Sequence, residues 1–206
     1  MVADCRPGNT VERMRRAVIA SLLVPIVAAS LPACSAGGAS YQVGDTGPAG
    51  GVVFYVSSEP FACGPDLATT CTYLEAAPAE SDALRVWAEK PYENEENTGA
   101  DRSAIGAGWA NTLDIVAQGN TDPMTSAAAY ADAYEFGGFD DWYLPAKDEL
   151  HELYEQRVTT EAGSPNYWTS SDYDLNTVWN QSFMAGPQHR RLKFDQVSVR
   201  PVRAFP

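Results

Sequence analysis

The densest basic segment of this chain lies near its carboxyl end, within an otherwise acidic sequence. It reads Gln188-His189-Arg190-Arg191-Leu192-Lys193. Cationic groups close to an indole ring and an amide offer charge, hydrogen bonds and a flat apolar surface, a mixture that suits sugars and carboxylates. We therefore predict a ligand-binding surface made of Trp179, Asn180, His189, Arg190, Arg191 and Lys193. The alternative is a hairpin whose charges protect an exposed edge strand.

A second pattern, Asp172-x-Asp174-x-Asn176, is similar to the opening of a calcium loop, in which closely spaced oxygen atoms surround a hard cation. Thr177 stands where an EF-hand requires glycine, and Phe183 stands where it requires the bidentate acid. These two residues exclude an EF-hand and leave only a looser calcium site. We predict no metal or other cofactor, with calcium at Asp172, Asp174 and Asn176 as the weaker alternative.

Polar side chains also recur at helical spacing in the middle of the chain. They are Asp148, His151, Glu152 and Glu155. A metal could use such a stripe, but a solvated helix face explains it equally well. The sequence has two histidines, His151 and His189, and no recognisable Ser/His/Asp spacing. A hydrolase would need one of these histidines as its base, so we predict a protein that is not an enzyme.

The amino-terminal residues predict export. Residues 14–34 contain two arginines, an apolar run too short to span a bilayer, and the sequence Leu31-Pro32-Ala33-Cys34. That ending resembles the lipobox of bacterial lipoproteins, in which the cysteine is lipidated. We predict a signal peptide over residues 1–33, with translation starting at Met14, then lipidated Cys34 in a flexible tether, 34–40. The protein would be anchored at the cell surface or in the periplasm, or secreted, because Pro32 departs from the lipobox.

Composition limits the partners of the remaining chain. Four of the 14 basic and two of the 27 acidic residues lie before Cys34, which leaves a net charge of −15. Such a chain repels nucleic acid and anionic lipid at long range, so we predict contact with a membrane only through the lipid anchor. Cys63 and Cys71 would form a disulfide in an oxidising compartment.

Hydrophobic periodicity predicts the elements that position these groups. We predict strands at 52–56 and 72–77, which pair across the cysteine loop, and a surface insertion over 78–104. Helices are predicted at 109–117, at 123–134 with Asp122 as N-cap, and at 146–156. Short runs at 167–171, 178–183, 191–194 and 197–205 predict an antiparallel terminal sheet. Strands, then helices, then strands indicate one α+β domain over residues 41–206.

Four large side chains have predicted structural roles. Trp142 and Trp168 are expected in the core. Arg200 and Arg203 alternate with apolar residues, so we expect both on one face of the last strand, paired with acids such as Asp140 or Asp141.

Five blocks together resemble one family. They are Gly44-Asp-Thr-Gly-Pro-Ala-Gly-Gly-Val-Val-Phe-Tyr55, Ile105-Gly-Ala-Gly-Trp-Ala-Asn-Thr112, Gly138-Phe-Asp-Asp-Trp-Tyr-Leu-Pro-Ala-Lys-Asp-Glu-Leu150, Tyr167-Trp-Thr-Ser-Ser171 and Val199-Arg-Pro-Val-Arg-Ala-Phe205. The chain is similar to the Lcl C-terminal domain family, a domain of unknown function named for a bacterial collagen-like adhesin. The resemblance implies a C-type lectin-like fold, related to that of sulfatase-modifying proteins.

The resemblance also implies adhesion, because the founding adhesin binds sulfated glycosaminoglycan-type polymers. This chain lacks the collagen-like repeat and the active-site cysteines of the enzymatic relatives. We therefore predict a non-catalytic envelope domain that recognises a surface glycan or an envelope protein. The alternatives are an envelope hydrolase or degenerate sulfatase-modifying enzyme, and a structural lipoprotein with a protein partner only.

Overall fold

The structure is a computed structural model that describes residues 40–88 and 99–206. The predicted signal peptide, Cys34 and residues 35–39 of the tether lie outside the described residues. In chain order the described strands are β1 (Val52–Cys63), β2 (Thr69–Ala76), β3 (Ala83–Arg85), β4 (Asn166–Asp172), β5 (Thr177–Ser182), β6 (Gln188–Leu192), β7 (Val197–Val199) and β8 (Val202–Phe205), and the helices are α1 (Gly108–Ala117), α2 (Ala127–Asp132) and α3 (Lys147–Glu155). These elements confirm the predicted α+β class.

β1 and β2 form a long antiparallel hairpin, and β8 pairs antiparallel with the other edge of β2. The hairpin confirms the predicted pairing, and a disulfide joins Cys63 to Cys71, whose Cα atoms are 5.9 Å apart. β1 extends seven residues beyond the predicted end at Val56, because the cysteine loop brings Phe61 and Cys63 back into register with β2. The predicted strand was therefore correct but too short.

The second sheet has the order β3-β7-β4-β5-β6. Its strand pairs are antiparallel except β4 with β7, which is parallel. The predicted terminal sheet is thus confirmed with one parallel pair. The predicted final strand, 197–205, is two strands: β7 belongs to this sheet and β8 to the first. Pro201, which has no N–H to donate, lies at the break.

Arg200 lies at this break, outside both strands, and Arg203 lies on β8, so the expectation that they share one face of one strand was wrong. The Arg200 guanidinium lies 2.5 Å from Asp82 and donates to the carbonyl oxygen of Ala77 at 3.2 Å. Arg203 instead donates to Asp141 and to Glu75. The predicted pairing of an arginine with Asp141 is confirmed.

The helices follow the predictions closely except α2. The sequence predicts a start at Pro123 with Asp122 as N-cap, whereas α2 begins at Ala127 and Ser126 accepts a hydrogen bond from the Ala129 amide. The amide of Ala127 donates to the carbonyl of Val86, which lies just after β3. Ser126 forms a β-bridge with Val86, so the helix starts only after it and residues 123–125 form a turn.

The predicted surface insertion, 78–104, was partly wrong. β3 lies in the second sheet, and Trp87 is completely buried with Trp168 in the larger apolar cluster, which the chain around α1 and α2 covers. The Trp87 indole also donates to the carbonyl of Thr169 at 2.8 Å. The acidic residues 89–98 of this segment lie outside the described residues. Trp142 and Trp168 are fully buried, as predicted.

Glu149 is a fully buried carboxylate that accepts several hydrogen bonds and joins three parts of the chain. Its oxygens accept hydrogen bonds from the Ala146 amide at 2.6 Å, the Gly106 amide at 2.8 Å and the Tyr143 hydroxyl at 3.0 Å. The bond to Ala146 caps α3, and the bond to Gly106 holds the loop before α1. The backbone of Tyr143 pairs with Val202 of β8. We call this arrangement the Glu149 clamp.

Two glycines leave room for the Glu149 clamp. A Cβ on Gly108 would lie 2.3 Å from a Glu149 carboxylate oxygen. Gly106 has φ +90°, and a Cβ there would lie 1.9 Å from the carbonyl oxygen of Ala62 in β1. The Gly106-Ala107-Gly108 sequence thus lets one segment contact both the Glu149 carboxylate and the disulfide-linked β1–β2 hairpin.

The Glu149 clamp predicts that stability falls as the pH rises. Burial raises the pKa of Glu149 from 4.5 to about 7, although the hydrogen bonds that its carboxylate accepts oppose the shift. Between these values the folded chain keeps a proton that the unfolded chain has lost, so the free energy of unfolding should decrease by up to about 3 kcal/mol across this window. Burial also raises the pKa of Glu75, which acts in the same direction.

Urea unfolding at pH 5, 6 and 7.5 measures this slope. Glu149→Gln should flatten it, whereas Glu155→Gln, an exposed change on the same helix, should leave it unaltered. Equal slopes for wild type and Glu149→Gln would contradict the assignment.

Candidate functional site

The β5–β6 hairpin places the predicted binding residues on two different faces. Trp179 lies opposite Arg190, Asn180 opposite His189, and Val178 opposite Arg191. Directly opposed residues of an antiparallel pair share a face, and neighbours along a strand alternate. Trp179 and Arg190 therefore lie on one face. Asn180, His189 and Arg191 lie on the other.

Four side chains form a surface cluster on the Trp179 face, which we call the cation–aromatic patch. The Tyr173 ring meets the Trp179 ring edge to face, with centroids 5.2 Å apart. The Arg190 guanidinium lies 4.6 Å from the centre of the Tyr173 ring, and the Lys147 ammonium lies 5.0 Å from the centre of the Trp179 ring. Tyr173 and Arg190 are exposed, and Trp179 and Lys147 are half-buried. The two rings thus lie side by side, with one cation at each end.

Hydrogen bonds fix the positions of both ends of this patch. The Lys147 amide donates to the Ser171 hydroxyl at 2.8 Å, and the Gln188 side chain donates to the Lys147 carbonyl at 2.7 Å. Together they hold the start of α3 against β4 and β6. Tyr173 begins the turn between β4 and β5, where an Asp174 carboxylate oxygen accepts hydrogen bonds from the amides of residues 176 and 177 at 2.9 and 2.7 Å.

Two of the six predicted binding residues are buried. Lys193 is 3% exposed and lies 2.8 Å from the Asp172 carboxylate, with its ammonium 4.7 Å from the centre of the Trp87 ring. Asn180 is fully buried beside Trp168, its partner on β4. Neither side chain therefore lies on the surface that carries Trp179 and Arg190. The six residues do not form one patch.

The remaining two members lie on the edge strand. His189 is exposed, and Arg191 is half-buried and bonded to Asp195 at 2.9 Å. Arg191 is therefore neutralised locally, whereas Arg190 contacts the ring of Tyr173.

The acidic residues of the predicted calcium loop contact other groups of the protein. Asp172 faces Lys193, and Asp174 bonds to backbone amides of its own turn. On α3, His151 is exposed beside the Tyr154 ring, at 6.2 Å between centroids, and the stripe that it shares with Asp148 and Glu155 faces solvent. Within residues 40–88 and 99–206, no group of three or more His, Cys, Asp or Glu side chains is placed to hold a metal ion. The absence of a cofactor stays a prediction.

Sequence reasoning missed two members of the cation–aromatic patch. Tyr173 follows Asp172 directly in a hairpin turn, so a large aromatic at a turn was a local signal. Lys147 comes from α3 and meets Trp179 only through packing between distant segments, which periodicity does not report.

The burial of Lys193 generates a prediction about stability. Lys193→Met removes the ammonium from a buried carboxylate, which should lower the free energy of unfolding by about 3–5 kcal/mol. Adding Asp172→Asn to that variant should recover part of the loss. Arg190→Met, which changes an exposed cation on the same hairpin, should shift stability by about 0.5 kcal/mol or less. Urea denaturation measures all three, and a loss for Lys193→Met no larger than for Arg190→Met would show that Lys193 has no structural role.

Comparison with known proteins identifies the family of this chain. The family model of the Lcl C-terminal domain matches residues 83–203, more than half of the sequence. It covers the three central blocks of the resemblance completely and most of the last one. No curated protein matches the sequence. None of the helices in the described part of the chain has the length and apolar character needed to cross a membrane. The chain belongs to the Lcl C-terminal domain family.

Proposed function

We propose that this protein is a non-catalytic binding domain of the cell envelope that recognises a surface glycan through the cation–aromatic patch. The observation that carries the proposal is a pair of rings flanked by two cations on one solvent-facing surface, formed by Tyr173, Trp179, Arg190 and Lys147. We also infer the C-type lectin-like arrangement that the family resemblance implies. The two-sheet α+β structure supports that inference.

The chemistry of the patch suits a sugar better than an apolar ligand. An exposed aromatic ring offers a flat apolar face to the C–H groups of a pyranose ring. The guanidinium of Arg190 and the ammonium of Lys147 supply donors at the ring edges for hydroxyl or carboxylate oxygens. Lys147 makes a cation–π contact with the ring of Trp179, and cation–π contacts are worth about 0.5–1 kcal/mol at exposed sites. The geometry exists before ligand arrives, which lowers the entropic cost of binding.

Electrostatics support a local contact. Residues 34–206 carry a net charge of −15, so the whole surface repels polyanions at long range. Lys147 lies 3.9 Å from an Asp148 carboxylate oxygen, so Arg190 supplies most of the positive charge of the patch. This charge acts over a short distance, because charges further apart than about 8 Å are screened at physiological ionic strength. Recognition would therefore depend on the patch alone.

The non-catalytic part of the proposal has support from the positions of the histidines. His151 lies on α3 with its ring against Tyr154, and His189 lies on β6 opposite a buried asparagine. In each case the ring has an exposed position at the surface. A general base would need a substrate cleft within hydrogen-bond reach of such a ring.

We also propose that Cys34 carries the lipid that holds the domain at the membrane. The support is the short apolar run before Leu31-Pro32-Ala33-Cys34 and the oxidised cysteine pair, which fits an exported domain. The patch would then face partners close to the envelope.

If the cation–aromatic patch binds a glycan, a glycan array probed with the full chain should distinguish wild type from patch variants. Wild type should retain a set of glycans that Trp179→Ala and Arg190→Gln lose, each with roughly tenfold weaker binding, because each removes a ring face or a charged donor worth about 1–2 kcal/mol. Array signals and calorimetry on the best glycan provide the measurement.

A matched control exists in the same molecule. The Arg157 guanidinium lies 4.3 Å from the centre of the Tyr154 ring, the same arrangement as Arg190 on Tyr173, at the other end of α3. Arg157→Gln should leave the array unchanged. Equal loss for Arg157→Gln and Arg190→Gln, or no glycan retained while crosslinking recovers a protein partner, would refute glycan recognition by the patch.

Lipidation of Cys34 has a separate test. Cells grown with a palmitate analogue should label the wild-type protein, and Cys34→Ala should abolish the label and release the protein from membranes. Cys34→Ala that stays membrane-bound, or wild type that takes up no label, would show that the domain is not anchored through Cys34.

A further inference from the structure

A small cavity lies beside β7, away from the cation–aromatic patch. It has a volume of about 210 Å³. Among the residues that line it are Leu84, Pro165 and Val197, which are apolar, and Asn166, Gln196 and Arg191, which are polar. Pockets for drug-sized ligands occupy roughly 300–1,000 Å³, so this cavity suits one small molecule or one ring of a larger one.

The polar lining residues have unused hydrogen-bonding capacity. Within the described part of the chain, neither the Asn166 nor the Gln196 side-chain amide bonds to another protein group, and each offers two donors and one acceptor oxygen. Asn166 is half-buried at the start of β4, which limits the hydration of its side-chain amide by bulk water. Arg191 adds a guanidinium, which Asp195 already pairs at 2.9 Å.

The apolar side of the cavity complements these groups. Leu84 is 60% exposed on a strand of three residues, and it borders the cavity with Pro165. A ligand that covers Leu84 removes apolar surface from water while its polar edge meets the amides. Because Asp195 balances Arg191, the cavity offers no net positive charge, and a neutral ligand with adjacent hydroxyl groups fits it better than an anion.

We propose that this cavity is a binding site for one neutral pyranose ring. Asn166 and Gln196 bond its hydroxyl groups, Arg191 donates to one hydroxyl, and Leu84 and Pro165 cover its C–H face. The site is separate from the cation–aromatic patch. Arg191 and Arg190 lie on opposite faces of β6, so the two sites can be altered independently.

Saturation-transfer NMR on the full chain tests the site with four neutral probes: the methyl pyranosides of glucose, galactose, mannose and N-acetylglucosamine. At least one should receive saturation from wild type. Gln196→Ala and Leu84→Ala should each weaken that probe about 3- to 10-fold, since each deletes one contact of a neutral ligand. Both side chains are exposed, so neither variant threatens folding, and circular dichroism checks this.

Two control variants separate this site from the proposed function. Trp179→Ala and Arg190→Gln, which alter the patch, should leave the affinity for the methyl glycoside unchanged even where they abolish array binding. Three results would overturn the cavity site: no saturation of any probe, a probe whose binding is lost in Arg190→Gln but kept in Gln196→Ala, or a methyl glucuronide that binds tenfold more tightly than its neutral counterpart. Failure of the array with a positive NMR result would instead refute the patch alone.

Discussion

A single buried carboxylate holds together the parts of this domain that the sequence separates. Glu149 accepts hydrogen bonds from the first turn of its own helix, from the loop before α1 and from the Tyr143 hydroxyl. Removing a carboxylate from water is costly unless hydrogen bonds replace the lost hydration, and here backbone and phenol donors supply the replacement. The cost is visible in its pKa, which burial raises to about 7. Tyr143 pairs with β8, and the loop at Gly106 packs on β1. The Glu149 carboxylate therefore connects α3 to the disulfide-linked β1–β2 hairpin.

The Glu149 clamp also determines where surface groups lie. It caps α3 at Ala146, so the next residue, Lys147, has its backbone fixed, and its ammonium reaches the ring of Trp179. At the other end of the patch, the buried Lys193–Asp172 pair holds the end of β4 to the chain that leaves β6. Tyr173 follows Asp172 directly. Two buried polar groups thus position the exposed patch. The Glu149 carboxylate fixes the start of α3, and the Lys193–Asp172 ion pair fixes the turn that carries Tyr173.

Much of this fold could be predicted because its signals are local. The hairpin, the disulfide, α1 and α3 follow from periodicity and spacing, and these predictions are confirmed. The errors occurred where distant contacts decide the structure. Trp87 looked like part of a polar insertion, yet it packs in the core and bonds to Thr169. α2 starts late because Val86 engages Ala127 first. Of the six predicted binding residues, only Trp179 and Arg190 share the patch, because alternation along β6 sends neighbours to opposite faces and Lys193 finds a buried acid.

The physical limits of the patch suggest how the proposed function would operate. Two rings and two cations provide only a few contacts, each worth about 1 kcal/mol, and association also costs translational and rotational freedom. One domain would therefore bind a sugar weakly. Strong attachment then requires many contacts at once, which a lipid anchor provides by concentrating copies of the domain on one membrane. The net charge of −15 on residues 34–206 would make neighbouring anchored copies repel one another at close range. The acidity that opposes binding to polyanions would then also limit association between copies, which would leave their patches open to ligand.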